Sequence, residues 1–196
     1  MSLYAVRTKI LVVTEGYTEK NYFEKFRRRD SGYELIVRRC PENTPNKISR
    51  FCISQIKDLG LDLKGGDMAF CVFDTDYNKE ETVNRVLTDS ARRGIRVVLS
   101  KPCFEVFFLL HFTGNIDRLA YPSDAKSEIG TYLHGYVETG DYWKKLLPCQ
   151  ARAVERSRAF VLNGNIDLKR QVNGTNIYVF FDALSGLETE DQSESR

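Results

Sequence analysis

Short apolar segments alternate with amphipathic segments through the first half of the chain, and this alternation is the strongest constraint on its fold. The segments with the apolar, β-branched character of strands are residues 9–14, 33–38, 68–73 and 95–99. The segments with apolar residues at helical spacing are 18–29, 45–59 and 79–93. Because a βαβαβαβ order requires crossover connections, it predicts a mostly parallel sheet with helices on both faces.

The chain after Pro102 has few strand signals. Helical patterns are found at residues 104–112, 142–147, 151–162 and 176–184. We therefore predict an α/β fold with a Rossmann-like, four-stranded sheet flanked by helices. Its core is expected over residues 1–112, with a helical extension packed on it over 113–186 and a disordered acidic tail over 187–196.

The composition excludes several kinds of site. No apolar run approaches the ~20 residues of a membrane-spanning helix, and the first residues lack a secretory signal, so we expect a cytoplasmic protein without membrane contact. Five cysteines without a C-x-x-C pair argue against zinc and disulfide frameworks, and two histidines leave little for a Ser-His-Asp triad. Any chemistry is expected to depend on carboxylates.

The charges are unevenly distributed, although the net charge is only +2. Basic residues crowd the first quarter of the chain: Lys25, Arg27, Arg28, Arg29, Arg38, Arg39, Lys47 and Arg50. This cluster is compatible with a polyanionic partner such as nucleic acid, and a solvated surface explains it equally well.

Acidic residues follow three of the predicted strands. Glu15 follows the first strand, Asp74 and Asp76 follow the third, and Glu105 follows the fourth. Sites in open α/β sheets form where the carboxyl ends of the strands meet. Residues i and i+2 of an extended segment point the same way, so both aspartates are expected to face one ion. Glu15, Asp74 and Asp76 would supply the hard oxygen ligands that Mg²⁺ or Mn²⁺ prefers.

A lone D-x-D is a weak signal, because such residues also occupy turns and helix caps. Glu15 has a second interpretation as a general acid or base. Thr18 is placed to cap the first helix, and Glu19 in its first turn is explained equally by the helix dipole or by a supporting role beside the site.

Three blocks of sequence carry a resemblance to a known family. They are V-V-T-E-G-Y-T-E-K-N-Y-F (12–23), V-F-D-T-D-Y-N (72–78) and S-K-P-C-F-E-V-F-F-L-L-H-F (100–112). Strands that end in Glu-Gly and Asp-x-Asp are similar to the Toprim domain, and the ordered series resembles RloB-like proteins. Two later blocks, A-V-E-R-S-R (153–158) and N-G-T-N-I-Y (173–178), look like the C-terminal blocks of the same family. The resemblance covers residues 9–184.

The resemblance implies a Toprim fold and a link to prokaryotic phage defence. It implies that Glu15 is the Toprim glutamate, that Asp74 and Asp76 bind metal, and that Glu105 is the acid of the Pro-Cys-Phe-Glu block. The chain departs from the family pattern at Lys101, where Asn is more usual. This residue would hold a scissile phosphate or neutralise Glu105. A second departure is Phe107, where Trp is more usual.

The first functional hypothesis is therefore a metal-dependent nuclease acting on DNA or RNA in phage defence or abortive infection. Glu15 or Glu105 would accept a proton, and Lys101 would steady the phosphate. The alternative is a non-catalytic module that binds a nucleotide, a nucleic acid or a partner protein from a defence operon. Nucleotidyl transfer, as in primases, is a third hypothesis.

Overall fold

The structure is a computed structural model that describes residues 7–29, 31–162 and 164–194, with the backbone alone at 188–194. The strands are β1 (Thr8–Thr14), β2 (Tyr33–Arg39), β3 (Met68–Asp74), β4 (Arg96–Lys101) and β5 (Gly174–Thr175). The helices are α1 (Tyr17–Phe23), α2 (Pro45–Asp58), α3 (Glu80–Arg92), α4 (Glu105–Phe112), α5 (Pro122–Tyr132), α6 (Trp143–Leu146), α7 (Gln150–Ser157) and α8 (Tyr178–Glu194). Single 3-10 turns follow α1 at Glu24–Phe26 and α6 at Leu147–Cys149.

The strands form one sheet in the order β2-β1-β3-β4-β5. β1 to β4 are parallel, which confirms the predicted α/β class with a mostly parallel sheet flanked by helices. The sheet has five strands instead of the predicted four, because β5 adds an antiparallel pairing of Ser100 with Thr175 and Lys101 with Gly174. A strand of two residues is too short to leave a periodic pattern in the sequence.

Alternate residues of each central strand are buried on opposite faces of the sheet. Ile10 and Val12 of β1 join one apolar layer, whereas Leu11 and Val13 join the other. The first layer contains α1, α4 and the helices after Phe112, and it is dominated by aromatic rings. The second layer is formed mainly by α2 and α3. The strands are covered on both faces, which explains their continuous apolar sequences.

Several predicted element boundaries differ from the structure. No helix is predicted between residues 112 and 142, but this region contains α5, whose sequence mixes Gly, Ser and charged residues and lacks a clear apolar stripe. α8 continues through Glu194, so residues 187–194 are helical where a disordered tail was predicted. Residues 195–196 lie outside the described residues. A helix anchored by packing at its start can extend through polar residues because adding a residue costs less than nucleation.

The first helix is capped differently from the prediction. Gly16 is its N-cap, and the Thr18 hydroxyl instead donates a hydrogen bond to the Glu138 carbonyl at 3.1 Å. That bond ties the start of α1 to the segment between α5 and α6. Within the described part of the chain, no helix combines the length and apolar character needed to cross a bilayer.

Candidate active site

Glu15 is held across the ends of two neighbouring strands. Its backbone N–H donates to the Val72 carbonyl at 3.0 Å, which continues the pairing of β1 with β3 for one more residue. Its side chain turns towards β3, where Oε2 accepts a hydrogen bond from the Asp74 N–H at 3.1 Å. Burial and, to a smaller extent, the charge of Asp76 raise the pKa of Glu15 to about 7, although the hydrogen bond from Asp74 opposes them.

Asp74 is the last residue of β3 and carries the most strongly perturbed carboxylate of this edge. The residue as a whole is half-buried, but its Oδ1 is inaccessible and receives no hydrogen bond from any described residue. Burial raises the pKa of Asp74 well above its ordinary value, and the charges of Glu19, Glu15, Glu105 and Asp76 raise it further. Asp74 is therefore driven towards its protonated form unless a cation compensates its charge.

Asp76 lies beyond the strand in a turn. Its φ of 42° is in the left-handed region, and its N–H donates to the Pro102 carbonyl at 3.0 Å. The extended segment that was expected to carry both aspartates thus ends at Asp74. The alternation of side chains along a strand therefore does not determine where the Asp76 side chain points. Asp76 is exposed as a whole residue, but its carboxyl group is partly buried. This burial, together with the charge of Glu105, raises the pKa of Asp76, and the charge of Lys126 opposes the shift. Left-handed backbone at a non-glycine residue is common at functional sites.

Two further acids approach from the helical layer. Glu105 begins α4, is 3% exposed, and accepts a hydrogen bond from the Tyr136 hydroxyl at 2.9 Å. Glu19 of α1 is also 3% exposed. Burial raises the pKa of Glu19 to about 8, and the charges of Glu15 and Glu105 contribute in the same direction. The structure therefore brings together the four predicted acids and a fifth.

Gly16 explains how Glu19 fits into this cluster. A Cβ atom at Gly16 would lie 2.7 Å from Glu19 Oε2, closer than side-chain atoms ordinarily approach. The backbone of Gly16 is extended, with φ of −113°, so what the glycine provides is space. We name Glu15, Glu19, Asp74, Asp76 and Glu105 together the carboxylate cluster.

Comparison with known proteins identifies the family. The family described as RloB-like protein matches residues 10–184, from β1 into α8, and so includes the whole carboxylate cluster. The chain belongs to the RloB-like family. Neither the curated proteins nor the solved structures give a match.

Lys101 of this RloB-like chain is engaged by backbone carbonyls. Its ammonium group donates to the Leu168 carbonyl at 2.7 Å and to the Gln171 carbonyl, in the segment that leads to β5. Burial lowers the pKa of Lys101, and Asp167 is the charge that opposes this shift. Lys101 therefore ties the end of β4 to the segment that contains Leu168 and Gln171.

Among the described residues, Lys126 of α5 is a cation whose charge acts on the carboxylate cluster. Its ammonium group lies 2.5 Å from Glu138 Oε1. Burial acts to lower the pKa of Lys126, but the hydrogen bond to Glu138 and the charge of Glu105 outweigh burial and raise it. The sequence did not indicate this residue, because α5 was not predicted and Lys126 lies in none of the family blocks.

Glu19 belongs to the carboxylate cluster through a pattern that is visible in the sequence. It lies three residues before Tyr22 and four before Phe23, both fully packed in the aromatic layer, so helical spacing places it on the buried face of α1. A carboxylate on the buried face of the helix that directly follows Glu15 indicates a position close to Glu15.

The carboxylate cluster suits a divalent cation in its chemistry, although its side chains have separate partners. Among residues 7–29, 31–162 and 164–194, no set of three His, Cys, Asp or Glu side chains is arranged to hold a metal ion. Glu15 bonds to the Asp74 N–H, and Glu105 bonds to Tyr136. The hard oxygen donors and the unpaired Asp74 Oδ1 fit Mg²⁺ or Mn²⁺, provided that carboxylates rotate to bind it.

Proposed function

We propose that this RloB-like protein is a metal-dependent nuclease that hydrolyses phosphodiester bonds of DNA or RNA in the cytoplasm. Asp74, Asp76 and Glu15 would hold Mg²⁺ or Mn²⁺. The observation that carries the proposal is the buried Asp74 Oδ1, which has no described hydrogen-bond partner and lies in a cluster of like charges. A buried carboxylate of this kind is costly unless a cation compensates it.

When bound, the ion would stabilise charge on the phosphate and make water more acidic. The chain itself supplies the proton acceptor. Glu15 is one candidate, because its carboxylate lies at the end of β1 beside Asp74, where the proposed ion and its water would be held. Glu105 is the alternative acceptor, and the hydrogen bond from the Tyr136 hydroxyl fixes the orientation of its carboxylate.

Basic surfaces support nucleic acid as the substrate. Arg7, Arg27, Arg28 and Arg29 line a groove of about 390 Å³ beside the start of β2. Close to the carboxylate cluster, the guanidinium group of Arg39 lies 4.5 Å from the ring of Tyr17, which is 53% exposed. Arginines and exposed rings are the groups that contact phosphates and bases in nucleic-acid complexes.

The experiment compares wild-type protein with Asp74→Asn on plasmid, single-stranded DNA and structured RNA, with Mg²⁺, Mn²⁺ or EDTA. We expect cleavage only with metal, and a loss of at least about a hundredfold in Asp74→Asn, as for other groups that hold transition-state charge. Asp89→Asn, an exposed position on α3, is the matched control. Equal cleavage by Asp74→Asn and wild type would exclude this mechanism.

A binding module without turnover is the second candidate. The observation in its favour is that the Glu15 and Glu105 carboxylates each already accept a hydrogen bond from within the chain. Calorimetry with nucleotides and short nucleic acids separates the two candidates. Tight binding that survives in Asp74→Asn, with no cleavage under any metal, would support the module.

A role in phage defence, together with a partner protein from a defence operon, is proposed from the family resemblance alone. Plating phage on cells that express wild-type protein or Asp74→Asn tests it. Protection that requires Asp74 would support a defence nuclease, and equal plaque counts on both strains and on empty cells would argue against that role.

A further inference from the structure

A cavity of about 300 Å³ is lined in part by residues adjacent to the carboxylate cluster and has no role in the proposed metal site. Thr18, the neighbour of Glu19, forms part of its wall. Glu138, whose carboxylate pairs with Lys126, forms another part. The cavity is therefore connected to the carboxylate cluster by adjacent residues of α1 and by the Lys126 ion pair.

Aromatic side chains from three parts of the chain form the apolar walls. They are Tyr22, Phe108, Tyr142 and Trp143. Trp143 is held in place by neighbouring rings, since its centroid lies 5.3 Å from that of Phe26 and 5.8 Å from that of Tyr22. A fixed ring at a half-buried position can stack on another planar ring with little loss of entropy.

The cavity also has a polar side chain that lacks a partner in the described part of the chain. Asn21 is half-buried, lines the cavity and makes no side-chain hydrogen bond there. The Tyr22 hydroxyl also has no described partner, but it is inaccessible, so Asn21 is the group that can meet a ligand. A carboxamide both donates and accepts, so Asn21 can pair with the edge of a nucleobase.

The charges at the rim indicate which part of a nucleotide would enter. Glu24, Glu138 and Asp141 line the cavity, whereas Lys25 is its one lining cation among the described residues and lies 2.6 Å from Asp141 Oδ2. Such a rim repels phosphate. It accepts a neutral planar ring, and the small volume suits a single ring system better than a chain of nucleotides.

We propose that this cavity binds one unstacked nucleobase of a strand whose backbone passes the carboxylate cluster. The inference rests on the proposed nucleic-acid function and specifies its substrate: nucleic acid with unpaired bases, in which a base leaves the stack to lie against Trp143. Unpaired bases are free to stack on aromatic side chains, whereas bases within a continuous duplex are not.

Trp143 makes the proposal directly measurable, because it is the one tryptophan of the chain. Wild-type protein in EDTA is titrated with a single-stranded oligonucleotide while tryptophan fluorescence is recorded, so no cleavage takes place. We expect saturable quenching by the oligonucleotide and much weaker quenching by a strand of equal length with abasic sites. A blunt duplex of the same sequence should also quench weakly.

The variant Asn21→Ala should weaken quenching by about tenfold in apparent Kd, as expected when the hydrogen bonds to one base edge are removed. Asn46→Ala is the matched control, since Asn46 is a half-buried helical asparagine on α2. Equal quenching by base-containing and abasic strands would overturn the proposal. That comparison uses the wild-type chain, so it decides the matter even if Asn21→Ala fails to fold.

The outcome is separable from the test of nuclease activity. Base-dependent quenching without cleavage under any metal would leave the base cavity standing and exclude the nuclease. Cleavage that depends on Asp74 but shows no base-dependent quenching would support the nuclease and exclude the base cavity.

Discussion

At the scale of single residues, Glu15 couples the stability of the metal-free protein to pH. Its pKa is raised from 4.5 to about 7, chiefly by burial. Between these pH values the folded state keeps a proton that the unfolded chain has released, so the free energy of unfolding falls as pH rises through this window. Ionised Glu15 is thus destabilising in the metal-free protein.

The prediction is that Glu15→Gln removes part of this pH dependence. In EDTA, the free energy of unfolding of wild type should fall relative to the variant by about 3 kcal/mol between pH 4.5 and pH 8. Glu19 and Asp74 remain in both proteins, and because the charge of Glu15 raises their pKa values, the difference between the two denaturation curves reports Glu15 together with its effect on these neighbours. Parallel curves across this range would contradict the assigned pKa.

Gly16 supports a second prediction at this scale. Gly16→Ala should push the Glu19 carboxylate out of its position, since the new Cβ would lie 2.7 Å from Oε2, and should destabilise the protein by about 1–3 kcal/mol. Adding Glu19→Ala removes the clashing atom. In the resulting double-mutant cycle, chemical denaturation should show that Gly16→Ala costs much less in the Glu19→Ala background. An unchanged cost would mean that the glycine serves another purpose.

The sequence predicted the chemical types of the site better than its geometry. Glu15, Asp74, Asp76 and Glu105 were identifiable because each follows a strand, and the structure brings them to one edge. The turn at Asp76 and the direction of Lys101 depend on hydrogen bonds to Pro102, Leu168 and Gln171. These partners lie far along the chain or belong to no recognisable sequence pattern. Local sequence rules therefore do not predict the hydrogen bonds to them.

At the scale of elements, Asn176 substitutes for a strand residue at the outer edge of β4. Its side-chain Oδ1 accepts from the Leu99 N–H at 2.7 Å, and its Nδ2 donates to the Val97 carbonyl at 2.8 Å. Asn176 is 4% exposed. One side chain thereby satisfies backbone groups that the two-residue β5 does not reach.

We predict that Asn176→Ala lowers the free energy of unfolding by about 2–3 kcal/mol, because buried donors and acceptors lose their partners. Asn46→Ala on α2 should change it by less than about 0.5 kcal/mol, as is usual for positions away from such features. Urea denaturation of both variants provides the measurement. Equal stability of the two would indicate that water replaces the Asn176 side chain.

The elements that the sequence predicted correctly are those with strong periodicity. β1, β3, α2 and α3 match their predicted ranges to within about two residues, because each has continuous apolar character or a clear apolar stripe. α5 and β5 were missed, since the first has a mixed composition and the second is defined by its pairing with β4.

At the scale of the whole molecule, the arginine groove and the carboxylate cluster lie at opposite ends of β1. Arg7 precedes the strand and Glu15 follows it, which places them roughly 25 Å apart along an extended chain. A nucleic acid that contacts both regions would have to span about seven nucleotides at the spacing of a B-form strand.

The corresponding prediction concerns salt. Arg7→Gln combined with Arg29→Gln should weaken binding of a 20-nucleotide strand in EDTA and reduce the slope of log K against log salt by roughly 1.4, or about 0.7 for each phosphate that is no longer neutralised. Arg92→Gln combined with Arg93→Gln, at the exposed end of α3, is the charge-matched control. Fluorescence anisotropy measures both. The same slope in the two double variants would rule out a specific role for the groove.

The position of Asn176 along the chain also matters during synthesis. It lies 77 residues after Leu99, the residue whose amide it covers. The four parallel strands therefore leave the ribosome well before Asn176, whose side chain covers the outer edge of β4. For that interval the nascent protein presents an open β edge to its neighbours, so crowding on polysomes and the supply of chaperones should influence how much of the protein reaches its native form.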